Sequence, residues 1–203
     1  NPTALRREAR AHEGQGVTVR LGYRPPYDVD ALLGFLARRG IESVEFATGT
    51  ASDALLGRTL RLRTGGRSHT GWLTARFDPS RQTVVLQVSD SLSEALPLVI
   101  ARVRAWLDLD AEPAAIQACL APETRQEMGG PGGDLAGLRV PGCLDGFELG
   151  VRSILGQQIT VAAARTLGQR LVERFGEPLP TPWPALSRLF PSAEVLAQAS
   201  GDA

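Results

Sequence analysis

The sequence predicts an α+β fold, an antiparallel sheet with flanking helices followed by an all-α portion. Three observations carry that reading. Five segments with strand-like alternation, "VTVRLGY", "IESVEFAT", "LGRTLRLRT", "TGWLTARFD" and "QTVVLQVSD", fall between Val17 and Asp90. Helical spacing then takes over in "SLSEALPLVIARVRAWLDL" and "EPAAIQACLA". After the Gly- and Pro-rich run "PETRQEMGGPGGDLAGL" no strand pattern remains and only helical ones occur.

The elements follow in order. "NPTALRREARAHEGQG" is polar and Arg-rich and reads as a solvated tail. The first strand opens at Val17 and "RPPYD" breaks it. Asp28 caps a helix "VDALLGFLARRG", whose Leu32, Leu33, Phe35 and Leu36 form an apolar face and whose Gly40 ends it. "RTGGRSH" and "DPSRQ" are turns between the later strands. Ser91 or Ser93 is expected to cap the next helix, where Leu96, Ile100, Val103 and Leu107 recur at helical spacing. Asp145 with Glu148 three residues on is an Asp-led capping box for a helix to about Leu155. "GQQ" interrupts, Thr160 caps again, and the next helix is expected to bury Ala164, Leu167, Leu171 and Phe175 before Gly176 stops it. "PLPTPWP" is a rigid extended connector, and Ser192 caps one more helix.

At 203 residues the chain suits one large domain or two small ones. Its 43% hydrophobic and 22% charged content is ordinary for a soluble globular protein. The net charge is zero, so no global basic field announces a nucleic-acid partner, although local patches matter more than totals. Cys119 and Cys143 make no metal-ligand spacing, and His12 and His69 are too few for a His-based metal centre, so no metal and no cofactor is expected. No membrane is expected as a partner, because no run approaches the roughly 18 apolar residues of a span. With no signal peptide apparent, the reading is cytoplasmic. All 22 basic residues are arginine, and without a lysine amine the chain cannot form a Schiff base. The chain opens on Asn1 and stops after "AQASGDA" without a closing element, which reads as an excised piece.

The stretch "LRVPGCLDGFELGVRSILGQQITVAAARTLGQRLVERFGEPL" resembles the opening helices of the glycosylase domain in 3-methyladenine DNA glycosylase II, the AlkA type of the helix-hairpin-helix superfamily. "YRPPYDVDALLGFLARRGIESVE" resembles the start of the same family, so the likeness runs in order over about residues 17–200. It implies an N-terminal α/β domain similar to one repeat of the TATA-binding protein fold, followed by an incomplete all-α glycosylase domain. The implied divisions are a tail at 1–16, the α/β domain at 17–125, a linker at 126–137 and the first glycosylase helices at 138–203. "PTALRREAR" in the tail also resembles the closing turn of an AraC-type helix-turn-helix, which implies an Ada-like regulator–glycosylase fusion.

The resemblance implies base-excision repair. Such enzymes hydrolyse the N-glycosidic bond of alkylated purines, chiefly 3-methyladenine and 7-methylguanine, after flipping the nucleotide out of double-stranded DNA. They need no cofactor and no lyase lysine. The family's Pro-Gly-Ile-Gly-type hairpin and the aspartate after it do not occur in these 203 residues, so no catalytic residue is assigned. The loop between the two helices faces DNA in the family. Gly156 and Gln157 align with its Gly-Gln step, Gln157 falls to the base pocket, and Gln158 takes the wedge position, where relatives carry an apolar residue.

Phe35 matches an aromatic that reaches the base pocket, and it equally fits an ordinary core phenylalanine. Arg152 and Thr160 are candidate DNA-backbone contacts, with a surface salt bridge and a helix cap as their plain alternatives. Trp72 and Trp106 read as core, and Trp183 as a packing anchor. The arginines of "GRTLRLRTGGR" read as a solvated sheet face, or else as a DNA-facing stripe. The rival function is a ligand-sensing or DNA-binding module of an alkylation-response regulator. The helical portion is expected to expose apolar surface.

Overall fold

The computed structural model describes residues 16–120 and 135–199. Residues 1–15 of the expected tail, 121–125, residues 126–134 of the linker expected at 126–137, and 200–203 lie outside the described residues. Strands β1 (Val17–Gly22), β2 (Glu45–Thr48), β3 (Leu55–Thr64), β4 (Arg67–Asp78) and β5 (Thr83–Val88) form one sheet in the order β1-β5-β4-β3-β2. Every neighbouring pair is antiparallel. Helix α1 (Val29–Arg39) lies between β1 and β2 in the chain. Helices α2 (Leu96–Trp106) and α3 (Pro113–Cys119) follow the sheet, and α4 (Gly146–Leu155), α5 (Val161–Phe175) and α6 (Ala193–Ala197) complete the chain. Among the described residues no helix is long and apolar enough to cross a membrane.

Turn chemistry sets the sheet's register. Gly65 and Gly66 both have positive φ, 57° and 77°, as a two-residue primed turn requires, and the hairpin closes on the pair Thr64–Arg67. At the β4–β5 corner the Asp78 carboxylate accepts from the Arg81 amide, closing a 3₁₀ turn over Pro79–Arg81. β2 is shorter than the expected strand. The Val44 and Glu45 amides both donate to the Ile41 carbonyl, and Ser43 sits at φ 69°, so residues 41–44 form a turn.

The period of two sorts β3 between two cores. Leu56, Leu60 and Leu62 join Leu73 and Leu86 beneath Leu33 of α1 and Val99 and Val103 of α2. Leu55 faces the other way and joins Trp72, Trp183 and Leu186. Trp72 and Trp106 are core residues, each 6% exposed. Asp28, Asp145, Thr160 and Ser192 cap their helices through side-chain acceptors as expected.

Two expectations are corrected. Neither Ser91 nor Ser93 caps a helix: Asp90–Ala95 is a 3₁₀ segment and α2 begins at Leu96. The Ser91 hydroxyl instead bonds Ser89 Oγ, which accepts from the Trp72 amide of β4. The buried side of α5 is also turned from the apolar stripe, since Gly168 and Val172 are its buried residues and Leu167 is 39% exposed. Docking against Ile41 decides this. A Cβ at Gly168 would lie 2.7 Å from Ile41 Cδ1, and Val172 packs with Ile41 and Val44.

Arg139 ties the chain back to the sheet domain after residue 134. Its guanidinium lies 4.5 Å above the Tyr27 ring and donates to the carbonyls of Arg24, Pro26, Asp108 and Ala111. Beneath it the Tyr27 hydroxyl donates to the Leu107 carbonyl, and burial pushes its phenol above the ordinary range.

The connector 177–192 closes the second sheet face. Trp183 is 1% exposed, with its ring 6.1 Å from Trp72 and 5.9 Å from Phe46. Trp183→Ala is expected to cost about 3–5 kcal/mol of stability. A urea midpoint unchanged by the substitution would show that this connector packs without contributing to the fold.

Candidate nucleic-acid interface

The loop between α4 and α5 is built by its flanking caps. α4 begins where Asp145 Oδ1 accepts from the Glu148 amide at 2.9 Å, and α5 begins where Thr160 Oγ1 accepts from the Ala163 amide at 3.2 Å. Gly156 ends α4, its amide donating to the Arg152 carbonyl at 3.0 Å. The Gln157 amide donates to the Ile154 carbonyl. Gln158 then takes φ 60°, a left-handed conformation that few non-glycine residues adopt. Gln157, Gln158, Ile159 and Thr160 are all exposed.

Behind this loop lies a buried cluster of four charges. Arg58 on β3 pairs with Glu45 on β2 and with Glu148 on α4. Arg152 reaches the same two carboxylates, 2.5 Å from Glu45 and 2.6 Å from Glu148, and donates to the Arg39 carbonyl at 3.1 Å. The Arg58 and Glu148 side chains are each 8% exposed. Burial opposes the ionised form of Glu45. Arg58 and Arg152, with a bond from the Ile41 amide, outweigh it and hold the carboxyl below its usual value. Burial disfavours the Arg58 cation, yet Glu148 and Glu45 hold its pKa above the ordinary value.

Glu148 therefore departs from the capping-box expectation. Asp145 makes its half of the box, while the Glu148 carboxylate turns to Arg58 and Arg152, because a buried guanidinium recovers far more from a carboxylate than a first-turn amide does. Sequence reading missed Glu45, Arg58 and Glu148, although a signal existed. Arg58 shares its strand face with Leu56, Leu60 and Leu62, and a charge within an apolar stripe needs a buried partner.

A cavity of about 360 Å³ opens against this cluster. Phe35, Leu36 and Trp106 give it apolar walls, Glu45, Arg58, Glu148 and Arg152 line its polar side, and Gly156 and Ile159 bring the loop to it. The fold thus gathers Phe35, Arg152 and the loop around one space, while Gln157, Gln158 and Thr160 stand on the exposed loop. Phe35 is half-buried, and its face carries the Arg39 guanidinium at 3.9 Å. Arg152, read as a phosphate contact, spends its guanidinium on Glu45, Glu148 and the Arg39 carbonyl.

The arginines of β3 divide. Arg58 is buried against Glu148 and Arg61 pairs with Glu177 at 2.6 Å. Arg63, 69% exposed, is solvated as one expectation had it and pairs with Glu194 at 2.5 Å, so the strand also meets the helical portion by charge. The expected apolar exposure is present on α4 and α5, where Ile154 is 70% exposed, Leu149 50% and Val161 47%.

The cluster gives the fold an acid limit. Glu45 has a depressed carboxyl in the folded chain, so its stabilisation is complete above the unfolded value of about 4.5 and is lost as pH falls through the lower folded value. Urea midpoints are therefore expected to drop below about pH 4.5, and Glu45→Gln is expected to flatten that drop. An equally steep acid limb in the variant would remove Glu45 as its cause.

Comparison with known proteins places this architecture. Residues 18–145 match the family described as the AlkA N-terminal domain. The DNA-3-methyladenine glycosylase 2 of Escherichia coli (strain K12) is 36% identical over 159 residues, covering 78% of this chain and 51% of that protein. The probable bifunctional transcriptional activator/DNA repair enzyme AlkA of Mycobacterium tuberculosis (strain ATCC 25618 / H37Rv) is 35% identical over 205 aligned positions, covering 97% of this chain and 38% of that protein. This chain therefore spans about half or less of the length of these relatives. In structure it is similar to a 3-methyladenine DNA-glycosylase from Archaeoglobus fulgidus, with a TM-score of 0.58 over 89% of this chain and 57% of the other, at 19% identity, a likeness of fold. On the extent of the family match and the identity to both relatives, the chain belongs to the AlkA family of alkylation DNA-repair proteins.

Proposed function

We propose that this chain is the lesion-reading portion of a DNA glycosylase that releases alkylated purines such as 3-methyladenine and 7-methylguanine from duplex DNA. The observation that carries the proposal is the cavity of about 360 Å³, a size suited to a small ligand, that opens beside an exposed loop. In this reading the duplex lies on residues 156–160, Gln158 fills the gap left by the flipped nucleotide, and the base stacks against Phe35. Gln157, next in the chain to the cavity-lining Gly156, turns to the flipped base, and Thr160 at the start of α5 meets the DNA backbone. Strained left-handed residues gather at functional sites, and Gln158 is one that the loop presents outward.

The chemistry follows from charge. An alkylated purine with a positive ring is already a good leaving group. The C1′–N bond breaks with its electron pair going to the base, cancelling the positive charge, while water adds to the sugar C1′ and gives up one proton to solvent. The Phe35 face is suited to such a base, since it already holds the Arg39 cation at 3.9 Å. A carboxylate must stabilise the oxocarbenium-like sugar. Glu45 and Glu148 are both held by Arg58 and Arg152, so we assign that carboxylate to residues outside these 203. With no lysine in the chain, it contributes no lyase amine.

In this proposal residues 17–125 are the α/β domain, 126–137 a linker and 138–203 the first helices of the glycosylase domain. Residues 1–16 would end a regulatory module, in keeping with the M. tuberculosis relative whose name joins transcriptional activator to repair enzyme. The same relative favours a second reading, a sensing module of an alkylation-response regulator.

Base release from methylated duplex DNA, compared between this chain and its full-length gene product, tests the proposal. Release by the longer protein alone is the expected result, and binding of alkylated duplex without release by either would favour the regulator. Gln158→Gly is expected to leave stability within about 1 kcal/mol, because glycine relieves the left-handed strain at an entropic cost of similar size. It is expected to lower the equilibrium constant for flipping, read by titrating the fluorescence of 2-aminopurine beside the lesion, by about tenfold, as one lost contact of about 1.4 kcal/mol would. Unchanged fluorescence would remove Gln158 from the wedge.

A further inference from the structure

Among the described residues Arg39 is the arginine of the cavity wall that holds no ion pair, since Arg58, Arg152 and Arg165 are all paired. It lies in the last turn of α1, exposed, with its guanidinium carbon 3.9 Å from the centre of the Phe35 ring and Nη1 3.4 Å from the Phe35 carbonyl. Both residues line the cavity. The ring face that the proposed function gives to a base is thus already covered by a cation belonging to the protein.

The neighbourhood of Arg39 is built differently. Arg152 donates to the Arg39 carbonyl, and Arg165 donates to the Gly40 carbonyl at 2.8 Å and pairs with Glu42 at 3.1 Å. These bonds fix the backbone at the end of α1 against α4 and α5, while the tip of Arg39 is held only by the Phe35 ring and one long bond at an exposed site. Arg38 and Arg39 form a basic end to α1, beside the helices that carry the 156–160 loop. An arginine over a ring is held by about 0.5–1 kcal/mol at an exposed site, a contact that a phosphate can replace.

We infer that Arg39 is a removable plug, covering Phe35 in the free protein and moving to the DNA backbone when duplex docks on the loop. The inference rests on the proposed reading of the cavity as a base pocket. It gives Arg39 two roles of opposite sign. Against a free purine it competes for the ring, and against a cationic purine it also repels. Toward duplex DNA it is an added phosphate contact.

The test uses this chain, N7-methylated guanosine at pH 6 as the cationic probe, guanosine as the neutral one, and quenching of Trp106 in the cavity wall as the signal. Arg39→Ala is expected to tighten guanosine binding about two- to fivefold and to tighten the methylated nucleoside further, to about tenfold. The same variant is expected to bind undamaged duplex more weakly, with the slope of log affinity against log salt reduced by about one. A general loss of structure would weaken both ligands together. Nucleoside affinity unchanged or lowered in Arg39→Ala, while Phe35→Ala abolishes binding, would overturn the plug and leave the pocket standing. Binding that Phe35→Ala does not alter, or no binding by either the parent chain or Arg39→Ala, would overturn the pocket reading and the plug with it.

Discussion

The placement of the candidate site depends on the buried quartet of Arg58, Glu45, Glu148 and Arg152. Each guanidinium touches both carboxylates, so two elements of the sheet and one helix of the following portion meet at a single neutral knot. Burying four charges is expensive, and only mutual pairing with further hydrogen bonds recovers the cost. That makes the arrangement selective. Sliding α4 along the sheet by one turn would strand at least one charge in a place where water cannot reach it. The quartet therefore specifies position more than it adds stability, and it is α4 that leads into the loop at Gly156.

A second set of contacts grips β3 from its other face. β2 has four residues against ten in β3, so part of β3 lacks a neighbouring strand on that side. The returning chain clothes it. Ser187 and Arg188 amides donate to the Ser43 carbonyl, and Thr59 Oγ1 donates to the Arg188 carbonyl at 2.7 Å. Trp183 fills the space above Trp72 and Leu55. These contacts differ in worth. The pair Arg63–Glu194 is more than half exposed on both sides, where screening leaves little energy, whereas the Trp183 cluster is dry and Arg58 and Glu148 of the quartet are buried. Among the described residues five ion pairs join the two portions of the chain, Arg58–Glu148, Arg61–Glu177, Arg63–Glu194, Arg152–Glu45 and Arg165–Glu42, so a net charge of zero conceals an electrostatic theme.

The two portions present different surfaces. The sheet and its helices close over a continuous apolar core, while α4 and α5 carry most of the strongly exposed apolar residues of the described chain. The hydrophobic residues of α5 are arranged for more than one neighbour. Gly168 and Val172 meet the α1–β2 turn, while Val161 and Leu167 are exposed. The helices that carry the loop between α4 and α5 are held against the sheet portion by the quartet and by α1.

Much of the fold was legible because its causes are local. Alternation located the five strands, Gly65-Gly66 set the hairpin, and Asp28, Asp145, Thr160 and Ser192 marked helix starts, since each acts on backbone amides within three residues. The family was legible from the segments around Phe35 and Gly156. Tertiary structure decided the rest. Leu167 lost its place in the core to Gly168 because Ile41, 127 residues away in the chain, packs closely on that glycine. Glu148 left its cap for Arg58, and Arg152 turned inward, because a charge enclosed by protein is governed by whichever opposite charge the fold brings beside it. Residue spacing encodes bonds between neighbours, and it cannot announce an ion pair that exists only after distant segments have excluded the water between them.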